Sequence, residues 1–544
     1  MKIALAQLSY HIGNFEQNTE SMIRVLHEMK EQNVDLVVFA ELAISGYPPR
    51  DFLEFSDFID RCYDSVEKIA GHCFGIAAIV GGPARNKLTK GKKLSNAAFF
   101  LSDGKVKDVI HKSLLPTYDI FDEYRYFEPN TEFRLIEHKN EKIALTICED
   151  LWNIDDNPMY KTNPMDELIK LRPDFIVNIA ASPFHSQQSK VREDVMRKNV
   201  KRYAIPLIYV NHVGAQTELL FDGGSMVLNS RAEVTDKLDF FKEEIRIIDT
   251  HLIENKSEVA NKRTSQISFI HDALIMGIRQ YFKKLGFSKA ILGLSGGIDS
   301  AVVAVLAAKA LGPENVHVLL LPSQFSSDHS IKDAEDLAKN SGISYDIISI
   351  ESSYEAVLGS LSPYFENLPF NIAEENLQAR LRAVLLMGFS NKFGHILLNT
   401  SNKSEAAVGY GTLYGDMCGG LSVIGDVYKT QVFELARYIN SEKEIIPINT
   451  IVKPPSAELR PNQKDSDSLP DYEILDKILF HYIEERLGPQ EIVEMGYDEK
   501  TVHRILKLVN INEHKRHQTP PILRVSSKAF GQGRRMPIVA KYLS

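Results

Sequence analysis

The fold of the second half of the chain is decided by the stretch Lys289-Ala-Ile-Leu-Gly-Leu-Ser-Gly-Gly-Ile-Asp-Ser-Ala301. Small and apolar residues run from Ala290 into the pair Gly296-Gly297, and an apolar helical pattern follows over 301–311. This order predicts a buried parallel strand, a tight glycine turn and a helix. Further along, a strand over 316–322, a helix over 331–340 and a strand over 344–350 continue the alternation. The pattern therefore predicts an open parallel sheet, whose ligands bind outside the carboxyl ends of the strands.

The chemistry of the turn favours a bound phosphate. Gly296 and Gly297 let backbone N–H groups approach an anion at the positive end of the following helix. Ser295 and Ser300 can add hydroxyl donors, and Asp299 can hold a magnesium ion against phosphate oxygens. The spacing is not that of a Walker loop, so no lysine is placed on the β- and γ-phosphates. The alternative at this point is a strand–helix turn without a ligand.

The string from Ser295 to Ser300 resembles the signature loop of the ATP pyrophosphatase family, whose members release pyrophosphate and leave an adenylated substrate. The resemblance implies that ATP cleavage here activates a carboxylate. It also implies ATP contacts from the loop and from a threonine at the end of a later strand, namely Gly293, Leu294, Ser295, Gly296, Gly297, Ile298, Asp299, Ser300 and Thr400.

Length and composition are those of a soluble protein with more than one domain. The chain has 544 residues, of which 44% are hydrophobic and 25% charged. A net charge of −9 argues against nucleic acid or an anionic membrane as a general partner. No stretch approaches the roughly 20 apolar residues of a membrane span. Because there is no signal-peptide pattern and the four cysteines are scattered, we expect a cytoplasmic location and no disulfide or zinc framework.

Three strand ends in the first half carry residues that can do chemistry. An apolar run over 34–41 ends on Glu41, Lys112 precedes a loop marked by Pro116, and Cys148 ends the apolar run 142–148. A partly desolvated carboxylate can act as a base, and a thiol can act as a nucleophile. Taken singly, each has a plainer interpretation, because strand-end carboxylates are often solvated and buried cysteines are often inert.

Together, these contexts resemble the Glu-Lys-Cys triad of the nitrilase and amidase superfamily. The matching strings are Phe-Ala-Glu41, His111-Lys112 and Ile-Cys148-Glu-Asp-Leu-Trp152. The resemblance implies an αββα sandwich over residues 1–248. In that chemistry Glu41 accepts the thiol proton, Cys148 attacks an amide carbonyl, and Lys112 stabilises the oxyanion.

Glutamine-using relatives in that superfamily suggest how the substrate is held. Tyr118 and Ser182 match positions that contact the amino-acid end of glutamine. A basic residue is usual six places after the serine, whereas this chain has Gln188 there and Lys190 nearby. The third glutamine contact, Gln188 or Lys190, therefore stays open.

Residues 371–416 resemble the NAD synthetase branch of the ATP pyrophosphatases. A long helix over 371–392 is followed by a strand over 394–400 and by the strings 401–405 and 409–416. The resemblance implies that Asn376, Glu405 and Lys515 contact deamido-NAD, with Lys515 reaching it from a neighbouring subunit. Glu405 and Asp299 would supply the carboxylates of a magnesium site, with phosphates and waters completing it. In isolation, the helix charges are more typical of a solvated face.

The predicted architecture is α/β: a nitrilase-like αββα sandwich over 1–248, a linker over 249–268, and a Rossmann-like open parallel sheet with helices on both faces over 269–544. The linker is polar and lacks a sustained apolar period. Residues 454–471 are rich in proline and polar side chains, which predicts either a mobile lid over the adenylate or a simple loop.

The resemblance extends over nearly the whole chain and points to the glutamine-dependent NAD synthetases. It implies the substrates L-glutamine, ATP and deamido-NAD, with Mg²⁺, and a homo-oligomer. Because free ammonia is mostly ammonium near neutral pH, we also expect a closed internal path for it. Two alternatives remain: another glutamine-dependent amidotransferase of the pyrophosphatase family, and a non-catalytic dinucleotide sensor.

Overall fold

The computed structural model describes residues 1–87, 90–154, 158–260, 265–366, 368–461, 463–467 and 469–543. The chain divides into two units, Met1–Arg263 and Thr264–Ser544. Of the predicted linker over 249–268, residues 261–264 lie outside the described residues. Thr250–Asn255 form a 3₁₀ turn whose Ile253 packs into the core of the first unit. The next helix begins at Gln266, inside the predicted linker.

The first unit is built mainly of strands, with a few α-helices between some of them. Its strands are β1 (Lys2–Gln7), β2 (Leu36–Val38), β3 (Ala77–Arg85), β4 (Leu94–Ser102), β5 (Lys105–His111), β6 (Ile136–His138), β7 (Glu141–Ile147), β8 (Phe175–Ala180), β9 (Leu207–Asn211), β10 (Val213–Gln216), β11 (Leu219–Asp222), β12 (Met226–Leu228), β13 (Val234–Lys237) and β14 (Glu244–Asp249). Its α-helices are α1 (Phe15–Glu31), α2 (Ser56–Ala70), α3 (Pro164–Leu168) and α4 (Gln188–Tyr203).

Two sheets pack face to face in the first unit. One has the strand order β14-β1-β2-β3-β4-β5 and the other β13-β12-β9-β8-β7-β6, while β10 and β11 form a separate ribbon. Alternation along β1 shows the layering, because Ile3 and Leu5 join the core between the sheets, whereas Ala4 and Ala6 join the core under the outer helices. The predicted αββα class is confirmed for this half.

The second unit begins with helix α5 and the glycine-loop strand. Its strands are β15 (Ala290–Gly293), β16 (Val316–Leu320), β17 (Ser344–Ile347), β18 (Ile396–Asn399) and β19 (Leu421–Ser422). Its α-helices are α5 (Gln266–Leu285), α6 (Ile298–Leu311), α7 (Asp328–Ser341), α8 (Glu351–Leu361), α9 (Ile372–Phe393), α10 (Lys403–Val408), α11 (Lys429–Ile439), α12 (Ile448–Val452), α13 (Tyr472–Ile483), α14 (Pro489–Glu494), α15 (Glu499–Ile511) and α16 (Glu513–Arg516).

The sheet of the second unit has the order β17-β16-β15-β18-β19, and every pairing in it is parallel. Ile291 of β15 packs with Leu386 of α9, and its neighbours Ala290 and Leu292 are also fully buried. The strand is therefore covered on both faces, as a parallel sheet requires. The predicted open parallel sheet with helices on both faces is confirmed. No helix within the described ranges is both long and apolar enough to cross a membrane.

Candidate active sites

A buried lysine joins two carboxylates in the first unit. Lys112 follows β5, and its Nζ donates to Glu41 Oε1 at 2.7 Å and to Glu123 Oε2 at 2.8 Å. The side chains of Lys112 and Glu41 are 0% exposed. Burial alone would lower the pKa of Lys112, but the charges of Glu123 and Glu41 outweigh it and hold that pKa well above its usual value. Lys112 is therefore a fixed cation.

Further hydrogen bonds hold both carboxylates in place. Asn96 Nδ2 donates to Glu41 Oε1 at 2.8 Å, and the backbone N–H of Ala181 donates to Glu41 Oε2 at 2.9 Å. Tyr47 donates its hydroxyl to Glu123 at 3.0 Å. Sequence reasoning missed Glu123, which lies in the short 3₁₀ turn Glu123–Arg125 where no apolar period marks it. Glu41 is a buried, oriented acceptor and not a solvated strand end.

Cys148 lies at the carboxyl end of β7 and opens the 3₁₀ turn Cys148–Leu151. Its φ of 44° falls in the left-handed region that a side chain rarely adopts, which is typical of strained functional positions. Burial raises the pKa of the thiol, the charge of Glu41 raises it further, and Lys112 opposes both. The structure thus brings the three predicted triad residues close enough for the charges of Glu41 and Lys112 to act on the thiol of Cys148.

The loop after Lys112 is tied to the Cys148 turn through Asp150. Its Oδ1 accepts the backbone N–H groups of Ser113 and Leu114, each at 2.9 Å, and its Oδ2 accepts that of Ile147 at 3.0 Å. Burial raises the pKa of Asp150 to about 6, and these backbone hydrogen bonds oppose the rise. This carboxylate connects the segments that carry Lys112 and Cys148.

The predicted glutamine contact Tyr118 faces a second carboxylate next to the cysteine. Its hydroxyl donates to Glu149 Oε1 at 3.0 Å, and Tyr160 donates to the same oxygen at 3.0 Å. Burial raises the pKa of Glu149 to about 7, while Lys112 and the two hydroxyls oppose the rise. Glu149 was not predicted as a site residue, although its position directly after Cys148 was the available signal.

The other two predicted glutamine contacts differ in placement. Ser182 is buried, its backbone N–H donates to Asn211 Oδ1 at 2.9 Å, and it follows Ala181, which binds Glu41. Gln188 is half-buried as the first residue of α4, and its backbone N–H donates to the His185 carbonyl at 2.9 Å. Lys190 is exposed. The geometry ties Ser182 closely to the cluster, and the third contact stays a prediction.

In the second unit, the glycine loop opens onto a cavity of about 600 Å³. Gly296 has φ 80°, and a Cβ added there would lie 2.2 Å from the Ser330 carbonyl oxygen, so only glycine fits. Ser295 Oγ and Ser300 Oγ are 3.1 Å apart, and the N–H of Gly297 donates to Ser295 Oγ. The cavity wall includes most of the predicted ATP and metal residues, namely Gly293, Leu294, Ser295, Gly297, Ile298, Asp299, Ser300, Thr400 and Glu405.

Asp299 and Glu405 share a lysine that the sequence did not reveal. Lys429, the first residue of α11, places Nζ at 2.5 Å from Asp299 Oδ2 and 3.1 Å from Glu405 Oε1. Burial raises the pKa of Glu405, Lys429 opposes the rise and Asp299 adds to it. Two carboxylates that already share one cationic group fit the one or two carboxylates by which Mg²⁺ is usually bound. No group of three or more His, Cys, Asp or Glu is arranged to hold a metal ion within the described residues.

Asn376 and Lys515 lie beside the loop over 409–416. Thr412 Oγ1 donates to Asn376 Oδ1 at 2.6 Å. Lys515 Nζ donates to the carbonyls of Gly409 and Gly411 at 2.7 and 2.9 Å. Burial lowers the pKa of Lys515, and Asp416 opposes the shift. Both residues support a loop whose Tyr410, Gly415 and Asp416 line the cavity.

The segment over 454–471, predicted as a lid or loop, borders the same cavity. Glu458 Oε1 accepts the hydroxyls of Ser327 at 2.7 Å and Ser330 at 2.9 Å. Asp465 accepts the hydroxyls of Tyr410 at 3.1 Å and Tyr472 at 2.9 Å. Asn462 and Ser468 of this segment lie outside the described residues. These contacts hold the segment against the cavity wall, and its mobility stays a prediction.

Arg382 is a cavity residue that the sequence did not single out. It lies on α9, and its Nε donates to the Leu321 carbonyl at 3.0 Å. Burial lowers the pKa of Arg382 to about 10, while Asp416 and Glu458 oppose the fall. A guanidinium in the wall is well suited to a phosphate or carboxylate of a bound substrate. Its predecessor in the same helical run, Arg380, instead donates to the Leu413 carbonyl.

Comparisons with known proteins match the two units of the chain to two different families. The carbon-nitrogen hydrolase family model matches residues 2–254, and the NAD synthase family model matches residues 270–519. The fold and sites thus define a carbon–nitrogen hydrolase joined to an NAD synthase. A glutamine-dependent NAD(+) synthetase of Synechocystis sp. is 44% identical over 99% of both chains. That of Thermotoga maritima is 40% identical over 100% of this chain and 99% of its own.

A solved structure gives the same result. The glutamine-dependent NAD+ synthetase from Acinetobacter baumannii, in complex with adenosine diphosphate, matches with a TM-score of 0.79 and 38% identity over 99% of this chain and 98% of that one. The chain belongs to the glutamine-dependent NAD(+) synthetase family.

Proposed function

We propose that this enzyme hydrolyses L-glutamine in residues 1–248 and uses the ammonia in residues 269–544 to amidate deamido-NAD to NAD, with ATP converted to AMP and pyrophosphate. The observation that carries the proposal is that one chain holds both the Glu41–Lys112–Cys148 cluster and the glycine-loop cavity. End-to-end similarity to glutamine-dependent NAD(+) synthetases supports the same pairing. The reaction makes the enzyme a carbon–nitrogen ligase with glutamine as amido donor.

In the first unit, Glu41 takes the proton of Cys148 as the sulfur attacks the amide carbon of glutamine. Lys112 stabilises the oxyanion that forms, and ammonia leaves after accepting the proton. Water then attacks the thioester, and Glu41 again acts as the base. Tyr118, Ser182 and Gln188 hold the amino-acid end of glutamine. The hydrogen bonds of Glu41 support this assignment. Lys112 donates to Glu41 Oε1 and the backbone N–H of Ala181 donates to Oε2, so the carboxylate is held in a fixed orientation beside a cation.

In the second unit, the loop over 293–300 and Thr400 bind ATP, and Asn376, Glu405 and Lys515 bind deamido-NAD. The nicotinate carboxylate attacks the α-phosphorus, pyrophosphate leaves, and ammonia then displaces AMP from the adenylate. Asp299 and Glu405 would hold Mg²⁺, which supplies charge neutralisation for the phosphates when bound. Lys429 already places a positive charge between these carboxylates and lines the cavity.

Replacement of Cys148 by alanine tests the division of labour. We expect C148A to lose the glutamine-driven synthesis of NAD and to keep the ammonia-driven synthesis, because only the first reaction needs the thiol. Cys62→Ala is the matched control, since Cys62 is a buried thiol in the helix-side core of the same unit. Equal loss of both reactions in C148A would refute the assignment.

The acceptor is tested by pyrophosphate release from ATP with glutamine present. We expect release with deamido-NAD and none above background with aspartate or XMP, which are acceptors in other amidotransferases on the same kind of loop. Tight binding of deamido-NAD without pyrophosphate release would support the non-catalytic sensor instead. Release that depends on aspartate or XMP would support a different amidotransferase.

The proposal includes a closed path for ammonia, a homo-oligomer and action in the cytoplasm, where ATP is supplied. Isotopically labelled ammonia added outside should not mix freely with nitrogen derived from glutamine. Two exposed apolar side chains one turn apart on α9, Val384 and Met387, support self-association, because exposed apolar patches are typical of interfaces. Sedimentation should therefore show a mass above that of one chain, and V384E should reduce it.

A further inference from the structure

One buried asparagine links the two carboxylates of the glycine-loop cavity. Asn402 is 0% exposed and directly precedes α10. Its Nδ2 donates to Asp299 Oδ1 at 2.9 Å, and its Oδ1 accepts the backbone N–H of Glu405 at 3.0 Å. Asp299 lies 103 residues earlier in the chain, so this contact is made only in the folded protein. The synthetase chemistry proposed for this unit gives Asn402 no role.

The orientation of the Asn402 amide follows from its two partners. An ionised carboxylate only accepts and a backbone N–H only donates, so the amide must turn its NH₂ group to Asp299 and its oxygen to Glu405. Reversal of the amide would break both hydrogen bonds. Because the side chain is buried, water could not replace them. The amide is therefore held in one orientation.

Lys429 binds the other oxygen of the same aspartate. Its Nζ contacts Asp299 Oδ2, whereas Asn402 donates to Oδ1. Each of these oxygens keeps a further lone pair for another partner. Lys429 also contacts Glu405, but its ammonium is a point charge with rotatable donors and does not fix a direction. The planar amide of Asn402 supplies that direction.

The backbone around Asn402 is itself anchored to the start of α11. The backbone N–H of Lys403 donates to the Val427 carbonyl at 2.9 Å. The hydroxyl of Ser404 accepts the backbone N–H of Lys429 at 2.9 Å. Asn402 therefore joins Asp299 to a segment that is already held in place beside Lys429.

We propose that Asn402 is a positioning residue of the magnesium site, where it fixes the carboxylate of Asp299 relative to Glu405. This inference rests on the proposed function, in which these two carboxylates hold Mg²⁺. Mg²⁺ demands near-ideal octahedral geometry, so a carboxylate that turns away binds it less well. Loss of a hydrogen bond that orients a metal ligand weakens metal binding by about 10–100-fold. Because Asn402 is fully buried, it acts through Asp299.

Calorimetric titration of the full chain with ATP, once with Mg²⁺ and once with EDTA, tests the proposal. N402S keeps a good helix cap, but its side chain is shorter by one bond and lacks the amide that donates to Asp299. We expect the Kd of ATP with Mg²⁺ to rise by about tenfold in N402S, and the Kd with EDTA to stay unchanged.

N371S is the matched control for the loss of an asparagine cap. Asn371 caps α9 by accepting the backbone N–H of Ala373 at 2.8 Å. Its amide donates to the Pro369 carbonyl and not to a carboxylate. Both Kd values should therefore stay unchanged in N371S.

An unchanged Kd of ATP with Mg²⁺ in N402S would overturn the proposal. An equal rise with Mg²⁺ and with EDTA would also overturn it, because a purely structural cap affects both alike. If N402S fails to fold, as judged by circular dichroism, N402T decides by the same criteria, since threonine also caps a helix.

D299N separates this inference from the proposed function. If D299N binds ATP with Mg²⁺ as tightly as the wild type, the magnesium site is assigned wrongly and the role of Asn402 falls with it. If D299N weakens this binding and N402S does not, only the role of Asn402 is refuted.

Discussion

Each unit holds a buried lysine between two carboxylates, and the two sets differ in what the carboxylates face. The carboxylates around Lys112 are closed in, with side chains of Glu41 and Glu123 exposed by 0% and 7%. Those around Lys429 line a cavity, with side chains of Asp299 and Glu405 exposed by 18% and 16%. The same arrangement is thus closed off from solvent in one unit and part of a cavity wall in the other.

The largest effect should come from removing one carboxylate charge in each unit. E41Q keeps the shape but loses the proton acceptor, so glutamine hydrolysis should fall by about 10²–10⁴-fold, as for other general bases. Ammonia-driven pyrophosphate release should be unchanged in E41Q. D299N should show the reverse pattern. Assays of glutamate and pyrophosphate release check both, and loss of both activities in either variant would contradict the separation.

Removal of Lys112 should destabilise the protein more than removal of Lys429. K112M leaves Glu41 and Glu123 buried without a cation, which costs about 3–5 kcal/mol in the free energy of unfolding. Urea titration of the full chain measures the change, and K170M, at an exposed lysine of the same unit, serves as the control. A loss in K112M no greater than in K170M would show that the network is not closed.

Glu149 predicts a pH dependence of stability in the first unit. Its folded pKa of about 7 lies above the ordinary value of 4.5. Between these values the unfolded chain releases the proton and the folded chain keeps it, so stability falls as pH rises from about 4.5 to about 7. The fall is at most roughly 3 kcal/mol. Thermal unfolding should show a weaker fall in E149Q, and an identical pH profile would contradict the shift.

The smallest effect concerns the cavity lysine. K429M should lower the free energy of unfolding by about 1–2 kcal/mol, between the values for exposed and buried pairs, because water reaches Asp299 and Glu405. Mg²⁺ should restore part of the melting temperature in K429M and none in K112M. If Mg²⁺ also restored the melting temperature of the double variant K429M/D299N, that result would argue against Asp299 and Glu405 as the magnesium site.

Much of the fold was predictable because apolar periodicity marks strands and helices directly. The parallel order around β15 follows from the βαβ alternation, and Glu41, Lys112 and Cys148 stand at strand ends that the sequence marks. Their proposed roles stay predictions. Glu123 and Lys429 were not predictable, because a 3₁₀ turn and a helix start carry no period. Their importance comes from contacts made with residues far away in the chain.

Boundaries were less well predicted for a physical reason. The apolar run over 34–41 indicated one strand, but β2 pairs only over Leu36–Val38. Residues beyond it stay buried because Gly81 lets the backbone approach, where an added Cβ would lie 2.4 Å from the Ala40 carbonyl oxygen. The residues after Val38 are therefore buried although they no longer pair as a strand. An apolar pattern in the sequence reports burial and cannot show where strand pairing ends.

Ser330 contacts two parts of the second unit at once. Its carbonyl oxygen packs closely against Gly296, where an added Cβ would lie 2.2 Å away. Its hydroxyl donates to Glu458 of the segment over 454–471. A small molecule lodged at this serine would disturb the glycine loop and the segment together. Inhibitor selectivity is therefore better sought at Ser330 than at the backbone of the glycine loop, because every enzyme with such a loop would share that backbone.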